Sequence, residues 1–380
     1  MTGFQRFFLK TEIVSGPGMY GRFGAFAGKR VGIITDAFMV KSGVVDRIRA
    51  KLPPCEVEVF SQVVPEPPLQ DVVKGAGRMA EFRPDVLLAI GGGSAIDAAK
   101  AILATLREAA ATVWPIQLAA VPTTSGTGSE VTCYAVISEP ERGLKHPLRG
   151  DGLVPDIAVL DPELVLSVPA KVTADTGMDV ITHALEAYVA VGASDFSDAF
   201  AEKAVSLAFA NLTRVFDDGS DLAARTALHN ASCMAGMAFN AAGLGLNHGL
   251  AHAIGGQLHI PHGRINAMLL PLVVAYNAGL SADFGSCLPA AGRYAAIAAR
   301  LGLEASTPRA GAASLAKALS RLNERLGIPV TLRAAGIDPA SCTSIEQDLV
   351  NAALADACTA SNPRRPTADE VRQLIRAVAG

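Results

Sequence analysis

The chain has 380 residues, of which 50% are hydrophobic and 18% are charged, and its formal net charge is −3. This length accommodates two domains with a large core, and the apolar content excludes an intrinsically disordered chain. The near-neutral charge lacks the basic excess that binding to a nucleic-acid backbone requires.

The first ten residues contain Arg6 and Lys10 but no apolar segment of the length found in a secretory signal. We therefore expect a cytoplasmic protein. The six cysteines are scattered and form no Cys-x-x-Cys pair, which argues against a disulfide framework and a cysteine zinc site. Most are expected to be small, buried apolar residues.

Short segments rich in β-forming residues alternate with helical patterns in the first 168 residues. Helical patterns at 68–81 and 94–107 separate several of the predicted strands, which are 31–35, 56–60, 86–90, 118–121, 135–138 and 157–160. The alternation is typical of βαβ units, which build a mostly parallel sheet covered on both faces. Residues 1–168 are therefore predicted to form an α/β domain.

Two predicted strands end in loops rich in backbone N–H donors. The strand 86–90 runs into three glycines and Ser94, and the strand 118–121 runs into the small polar residues of 122–132. Such loops allow a phosphate to approach backbone N–H groups and a helix N-terminus. The spacing matches neither standard nucleotide fingerprint, and an ordinary turn with Ser94 as N-cap is the alternative.

Asp36 follows the first predicted strand, 31–35. A carboxylate in this place accepts hydrogen bonds from an adenosine ribose and repels a 2′-phosphate, which favours NAD over NADP where the glycine loop binds a dinucleotide. A solvated turn or helix cap is the alternative interpretation.

From about residue 169 onward the strand signal ends, and alanine-rich segments of helical length follow. The predicted helices are 178–191, 197–215, 222–240, 248–257, 264–278, 287–301, 311–326 and 367–378. Residues 169–380 are therefore predicted to form an all-helical domain. Since no low-complexity linker separates the halves, we expect direct domain packing and a ligand in the intervening cleft.

Two long stretches of the helical half lack Asp, Glu, Lys and Arg. Residues 226–263 hold five histidines, and residues 265–282 hold two asparagines and a proline. These polar groups are costly in hydrocarbon. Both stretches are therefore interpreted as buried helices rather than membrane spans.

The same half also carries candidate metal ligands. Asp179 and His183 are four residues apart and share a helix face, and His248, His252 and His262 follow downstream. One carboxylate and three neutral imidazoles suit a divalent first-row metal such as iron or zinc. A single histidine is more typical of a core or capping residue, but several unpartnered polar groups in apolar segments would be costly.

The chain resembles the iron-containing (group III) alcohol dehydrogenase family over almost its whole length. Four segments carry this resemblance, in the same order as in the family: 91–94, 122–132, 176–188 and 248–263. The resemblance implies the fold shared with dehydroquinate synthase, which has a dinucleotide-binding α/β domain and a metal-binding helical domain. It implies metal ligation by Asp179, His183, His248 and His262, and it implies that His252 lies near the nicotinamide and the substrate. The cofactor contacts that it implies are Asp36, Gly92, Gly93, Ser94, Thr123, Thr124, Thr127 and Lys145.

Within this family, the segments 123–132, 143–148 and 255–263 are similar to the 1-propanol dehydrogenases of propanediol-degrading microcompartments. This similarity leaves two locations open, the cytoplasm at large and the interior of a bacterial microcompartment. His259 lies three residues before a proposed ligand, and it either supports the metal site from outside or forms a wall of the pocket.

The resemblance implies reversible hydride transfer, in which NADH reduces a short-chain aldehyde to a primary alcohol. The metal would polarise the carbonyl oxygen, and His252 would relay the proton. Fe²⁺ and Zn²⁺ both fit these ligand types. The low aromatic content of 5% indicates a compact aliphatic substrate. A homodimer or larger homo-oligomer is implied, with neither a nucleic-acid nor a membrane partner.

Three alternative functions share part of this pattern. A zinc-dependent glycerol or polyol dehydrogenase is the nearest. A dehydroquinate synthase-like, NAD-using lyase needs several basic residues for its phosphorylated substrate, and only Arg264 is near the proposed metal segments. A non-enzymatic interaction protein would lack metal ligands, yet all four are present.

Overall fold

A computed structural model describes residues 7–109, 115–142, 144–280 and 287–380. They form two compact units, 8–167 and 168–380, and Phe7 belongs to the second. Three parts of the sequence interpretation lie outside the described residues: positions 1–6 of the N-terminal segment, Gly143 of the 143–148 motif, and the end of the stretch 265–282.

The unit 8–167 contains strands and helices in alternation. Its strands are Glu12–Ser15 (β1), Arg30–Asp36 (β2), Glu56–Val63 (β3), Val86–Gly91 (β4), Gln117–Pro122 (β5), Tyr134–Glu139 (β6), Leu144–Arg149 (β7) and Ile157–Leu160 (β8). Its α-helices are Ala37–Lys41 (α1), Val44–Arg49 (α2), Leu69–Phe82 (α3) and Gly93–Ala109 (α4).

Six of these strands form one sheet in the order β1-β8-β5-β4-β2-β3, and every neighbouring pair is parallel. The prediction of a mostly parallel sheet is therefore confirmed. The predicted strand 135–138 is present as β6, but it pairs with β7 in a separate antiparallel hairpin and does not join that sheet. Residues 144–149 carry two basic side chains, a histidine and a proline, so their strand was not predicted.

The sheet is buried on both faces because side chains alternate along each strand. On β2, Ile34 packs in a core with Val72 and Met79, whereas Ile33 packs in a second core with Phe23. All residues of β4 are buried. The parallel arrangement places the carboxyl ends of β2, β4 and β5 along one edge, where Asp36, Gly91 and Pro122 end their strands.

The regular elements of the unit 168–380 are all helices in its described residues, as predicted. Its α-helices are Ala170–Val189 (α5), Asp195–Asp217 (α6), Leu222–Ala242 (α7), Leu246–Leu258 (α8), His262–Ala278 (α9), Pro289–Arg300 (α10), Pro308–Arg325 (α11), Pro339–Ser344 (α12), Glu346–Ala355 (α13) and Ala368–Ala379 (α14). The sequence did not predict α12 and α13. Phe7 stacks on Phe196 and Phe200 of α6, with ring centroids 5.9 and 5.6 Å apart.

The two charge-free stretches form the buried helices α7, α8 and α9. Within the residues that the structure describes, no helix combines the length and the apolar character that a membrane crossing needs. None of the six cysteines forms a disulfide. Three of them are buried as expected, but Cys55 and Cys358 are partly buried and Cys287 is exposed.

Candidate active site

Four of the predicted metal ligands meet within the helical unit. Asp179 and His183 lie on α5, His248 on α8 and His262 at the start of α9. One ligand atom from each side chain lies within 4.8 Å of the others. Oδ1 of Asp179 is 3.8 Å from Nε2 of His248 and 3.7 Å from Nε2 of His262. The first three side chains are buried, whereas 42% of the His262 side chain is exposed, so the cluster has one open side.

A close approach of two helices brings these ligands together. A Cβ atom on Gly263 would lie 2.2 Å from the backbone oxygen of Asp175 and 3.4 Å from Cβ of Asp179. The first turn of α9 therefore approaches α5 at a distance that only glycine allows. Arg264 strengthens this junction with hydrogen bonds of 3.0 and 3.1 Å to the Asp175 carboxylate.

The ring of His248 is oriented by a buried carboxylate. Glu186, one turn after His183 on α5, is hydrogen-bonded to Nδ1 of His248 and accepts a 2.7 Å bond from the backbone N–H of Asn247. Holding Nδ1 leaves Nε2 of His248 to face Asp179. Burial raises the pKa of Glu186 to about 8. Burial and the three neighbouring imidazoles lower the pKa of His248, which favours the neutral form that binds metals.

Asn266 lies one turn after His262, and its amide nitrogen reaches three of the predicted ligands. Nδ2 of Asn266 is 2.8 Å from Oδ1 of Asp179, 3.1 Å from Nε2 of His262 and 3.3 Å from Nε2 of His248. Oδ1 of Asn266 in turn accepts a 2.9 Å bond from Asn247. The side chain is fully buried. The bond to Asp179 helps to position that carboxylate, whereas the imidazole nitrogens can accept from Nδ2 only when their lone pairs hold no metal.

The donor set fits a divalent transition metal. Three imidazole nitrogens and one carboxylate oxygen are grouped tightly enough for common ligation, and iron and zinc both accept this combination. The set contains no sulfur donor, which weighs against a site for a soft monovalent metal.

His252 and His259 lie on α8 or at its end, outside this cluster of four. The His252 ring stacks on His262 with centroids 5.3 Å apart, and its Nδ1 is hydrogen-bonded to Oδ2 of Asp356 at 2.8 Å. Burial alone would raise the pKa of Asp356, but its hydrogen bonds to His252 and Cys358 and the charge of His252 together outweigh burial, so the pKa is lowered. His259 caps α8 in the left-handed conformation and is exposed.

In the α/β unit, the two predicted loops lie against each other. A Cβ atom on Gly92 would lie 3.2 Å from Oγ1 of Thr124, and one on Gly93 would lie 2.8 Å from Cγ2 of Thr127. Asp36 accepts a 2.9 Å hydrogen bond from the N–H of Met39 and so caps α1. The carboxylate, the glycine turn and the threonine loop thus share the carboxyl edge of the sheet.

The remaining predicted cofactor contacts differ in their surroundings. Oγ1 of Thr123 is buried, and no hydrogen-bond partner for it occurs among the described residues. Ser94 is not an N-cap, because α4 begins at Gly93; its Oγ accepts a 3.3 Å bond from the N–H of Glu66. Lys145 is exposed and pairs with Glu66 at 2.6 Å. The unpaired Thr123 hydroxyl and the glycine–threonine turn fit a polar ligand such as a dinucleotide diphosphate.

A buried lysine supports this loop. Nζ of Lys100 on α4 donates to Oγ of Ser129 at 3.0 Å and to the carbonyl oxygens of Thr132 and Tyr134 at 2.8 and 2.7 Å. Asp97, one turn earlier, accepts a 2.6 Å bond from Ser129. Burial lowers the pKa of Lys100 to about 8.

Comparison with known protein families decides the assignment. Residues 10–162 match the iron-containing alcohol dehydrogenase model, and residues 173–379 match the C-terminal model of the Fe-containing alcohol dehydrogenase family. The chain belongs to this family. It is therefore an alcohol dehydrogenase, an oxidoreductase that interconverts alcohols and aldehydes, as the sequence motifs predicted.

Individual relatives agree with this family over nearly their full length. The 1-propanol dehydrogenase of Salmonella typhimurium is 43% identical, over 97% of this chain and 98% of its own. A 1,3-propanediol oxidoreductase structure is 31% identical with a TM-score of 0.89, covering 99% and 100% of the two chains. Sulfoacetaldehyde reductase from Bifidobacterium kashiwanohense, in complex with NAD⁺, is 26% identical with a TM-score of 0.85 and covers 99% of each.

Three further residues of this alcohol dehydrogenase were missed by the sequence interpretation. Glu186 follows His183 at helical spacing, and Asn266 lies four residues after His262. Helical spacing therefore places each of the two on the same helix face as a proposed ligand, and this could have been recognised in the sequence. Asp356 is 104 residues from His252 and lies in no recognised motif. Only the folded chain brings this pair together.

Proposed function

We propose that this alcohol dehydrogenase uses NAD(H) to interconvert short-chain aliphatic aldehydes and primary alcohols. The proposal is tested in the direction of aldehyde reduction. The observation that carries the proposal is the convergence of one carboxylate and three imidazoles within 4.8 Å in a member of the iron-containing family. The donor set supports a resident divalent metal. The glycine–threonine edge of the α/β unit supports a dinucleotide.

The metal would be held by Asp179, His183, His248 and His262. Glu186 would orient His248, and Asn266 would hold the Asp179 carboxylate. A divalent metal bound there would act as a Lewis acid on the substrate oxygen, an effect worth several kcal/mol of transition-state stabilisation. Fe²⁺ is proposed on the strength of the family, and Zn²⁺ is the alternative that the same ligands accept.

His252 is proposed to move the proton that accompanies hydride transfer. Its side chain is 36% exposed and its Nδ1 is held by Asp356, so Nε2 is the ring nitrogen that remains for reacting groups or a water. The Asp356 carboxylate fixes both the tautomer and the ring orientation, as carboxylates do for histidines in other acid–base sites.

For the cofactor, we propose that the backbone at Gly92 and Gly93, with Ser94, Thr123, Thr124 and Thr127, holds the diphosphate. Asp36 would accept hydrogen bonds from the adenosine ribose and so favour NAD over NADP. Lys145 on β7 forms an exposed ion pair with Glu66. It would contact the cofactor in place of Glu66. The nicotinamide ring supplies the hydride chemistry when bound.

One observation bears on the lyase alternative. Arg264, the basic residue of the metal segments, is engaged with the Asp175 carboxylate, so its charge is compensated. A phosphorylated, acidic substrate would need uncompensated cations. The polyol dehydrogenase alternative differs only in the substrate and the metal, which the assay below separates.

The test is a panel of aldehydes, alcohols and polyols, assayed by NADH absorbance with protein purified anaerobically and analysed for metal. We expect propanal to be reduced by protein loaded with ferrous iron, and activity to disappear after chelation. Preferential oxidation of glycerol by zinc-loaded protein would establish the polyol alternative. Turnover that is unaffected by complete removal of metal would refute the proposal.

We also propose a homodimer or larger homo-oligomer that works in the cytoplasm, on the basis of the family resemblance. Light scattering of the purified protein tests the assembly. Fractionation of the source cells tests whether the enzyme stays with the general cytoplasm or sediments with a microcompartment.

A further inference from the structure

A second cluster of metal-ligating atoms lies in the helical unit. It consists of His252 on α8 and of Asp356 and Cys358, which follow α13, and we refer to it as the His–Asp–Cys cluster. One ligand atom from each residue lies within 4.8 Å of the others. The cluster shares no residue with the four proposed metal ligands. All three residues are partly buried, so an ion in solution has access to them.

The backbone around the His–Asp–Cys cluster is held firmly in place. A Cβ atom on Gly249 would lie 2.0 Å from Oγ1 of Thr359 and 3.2 Å from the carbonyl oxygen of Ala353, so α8 contacts the turn after α13 at a glycine. Within that turn, the Thr359 hydroxyl donates to Ala353 at 2.7 Å, and the N–H of Cys358 donates to Oδ1 of Asp356 at 2.8 Å. The donor atoms therefore project from a rigid scaffold.

The electrostatic surroundings favour a cation. Burial raises the pKa of Cys358, and the carboxylates of Asp356 and Glu186 raise it further because they disfavour a second negative charge. The Asp356 carboxylate attracts a divalent ion, and the thiol proton of Cys358 is released when the ion binds. Nδ1 of His252 and Oδ2 of Asp356 are 2.8 Å apart, so a nitrogen donor and an oxygen donor already lie side by side.

We propose that the His–Asp–Cys cluster is a second metal site, selective for borderline-soft divalent cations such as Zn²⁺ and Cd²⁺. The ligands are Nδ1 of His252, a carboxylate oxygen of Asp356 and the Cys358 thiolate, with solvent in the fourth position. The Nδ1 and thiol protons pass to solvent, and the ion replaces the hydrogen bond between His252 and Asp356. The thiolate distinguishes this site from the four-ligand cluster, which contains no sulfur.

Occupation of this site has a functional consequence, and this part rests on the proposed role of His252. A cation on Nδ1 takes the place of the Asp356 carboxylate that orients the ring. Zn²⁺ in excess is therefore an inhibitor of the metal-loaded enzyme, by a route distinct from metal exchange at the four-ligand cluster.

The binding test is a Cd²⁺ titration of the full-length, metal-loaded enzyme, followed by the ultraviolet charge-transfer band of thiolate-bound cadmium. We expect a saturable band at one equivalent in the parent protein, no such band in Cys358→Ser and weaker binding in Asp356→Asn. Cys287→Ser is the matched control because Cys287 is exposed and outside the cluster, and it should retain the band. A band that survives in Cys358→Ser, or is absent from the parent protein, overturns the site.

The inhibition test adds Zn²⁺ during propanal reduction and relates each variant to its own rate without Zn²⁺, while the bound iron is measured. We expect inhibition without loss of iron in the parent protein and at least tenfold lower Zn²⁺ sensitivity in Cys358→Ser. Equal sensitivity of the two proteins, or inhibition only as iron is lost, overturns the inhibitory role. If the protein shows no turnover at all, the proposed function is contradicted. The cadmium titration still tests the metal site in that case, because it measures binding and does not depend on turnover.

Discussion

The carboxylate of Glu186 is hydrogen-bonded to Nδ1 of His248, and both side chains are almost completely buried, at 2% and 1% exposure. A metal-ligating histidine whose other nitrogen is held by a carboxylate has a fixed tautomer and stronger basicity. We therefore expect Glu186→Gln to weaken metal binding by about 10–100-fold with little change in the fold. Competition with a fluorescent chelator measures the affinity. Glu202→Gln, on the neighbouring helix α6, is the control, and equal affinities of the two variants would contradict this role.

The second prediction concerns the ligands themselves. His262→Ala and Asp179→Ala should each abolish stoichiometric metal binding and turnover, since each removes one of four donors. The circular dichroism spectrum should stay close to that of the parent protein. His259→Asn is the matched control, because asparagine tolerates the left-handed conformation at that position and His259 lies outside the cluster. Full metal content in either ligand variant after chelation and dialysis would show that the assignment is wrong.

The third prediction addresses cofactor choice. Asp36→Ser removes the charge that repels a 2′-phosphate while keeping a side chain able to cap α1 at Met39. The ratio of kcat/KM for NADPH to that for NADH should rise at least about tenfold, which corresponds to about 1.4 kcal/mol. Asp71→Ser, at an acidic position in the first turn of α3, should leave the ratio unchanged. An unaltered ratio in Asp36→Ser would remove the proposed contact with the ribose.

The fourth prediction follows from Lys100, whose pKa is lowered from 10.5 to about 8 by burial. Between these two values the unfolded state binds more protons than the folded state, so the free energy of unfolding rises with pH. Relative to Lys100→Met, the parent protein should gain about 2 kcal/mol between about pH 7 and 9.5. Urea unfolding followed by circular dichroism at each pH measures this free energy of unfolding.

Lys74→Met is the control for the loss of a lysine, because Lys74 is exposed and pairs only at the surface with Asp71. Its free energy of unfolding should run parallel to that of the parent protein across the same pH range. If the free energy of unfolding of Lys100→Met also runs parallel to that of the parent protein across this pH range, the buried lysine keeps its proton throughout the range.

Local patterns in the sequence were sufficient for the fold class and the family. Strand 86–90 is wholly apolar and runs into three glycines, and the structure places it at the centre of a parallel sheet. The prediction that Asp179 and His183 share one helix face likewise needed only their helical spacing. The cluster of four ligands was a prediction from motifs, and its metal-binding role stays a prediction until metal is measured.

Other features depend on contacts between distant segments, which no local pattern encodes. Strand β7 was missed because its basic and proline residues are tolerated at the edge of a two-stranded hairpin. The pairing of His252 with Asp356 arises only because Gly249 lets α8 contact the turn after α13. No sequence pattern singled out Cys358 either, because its neighbour His252 lies on another helix.

The last prediction tests the helix approach that assembles the metal ligands. A methyl group at Gly263 would meet the backbone oxygen of Asp175 at 2.2 Å, and a backbone atom cannot rotate away as a side-chain end can. Gly263→Ala should therefore push the start of α9 from α5, displace His262 from Asp179 and lower metal affinity more than tenfold.

Gly256→Ala, on the neighbouring helix α8, provides the contrast for this substitution. No atom lies within 4 Å of a Cβ built there, and replacing a helical glycine by alanine stabilises a helix by about 0.5–1 kcal/mol. Metal affinity should be unchanged in Gly256→Ala and the melting temperature slightly higher. If Gly263→Ala instead binds metal as tightly as Gly256→Ala, the position of His262 does not depend on the contact between α5 and α9.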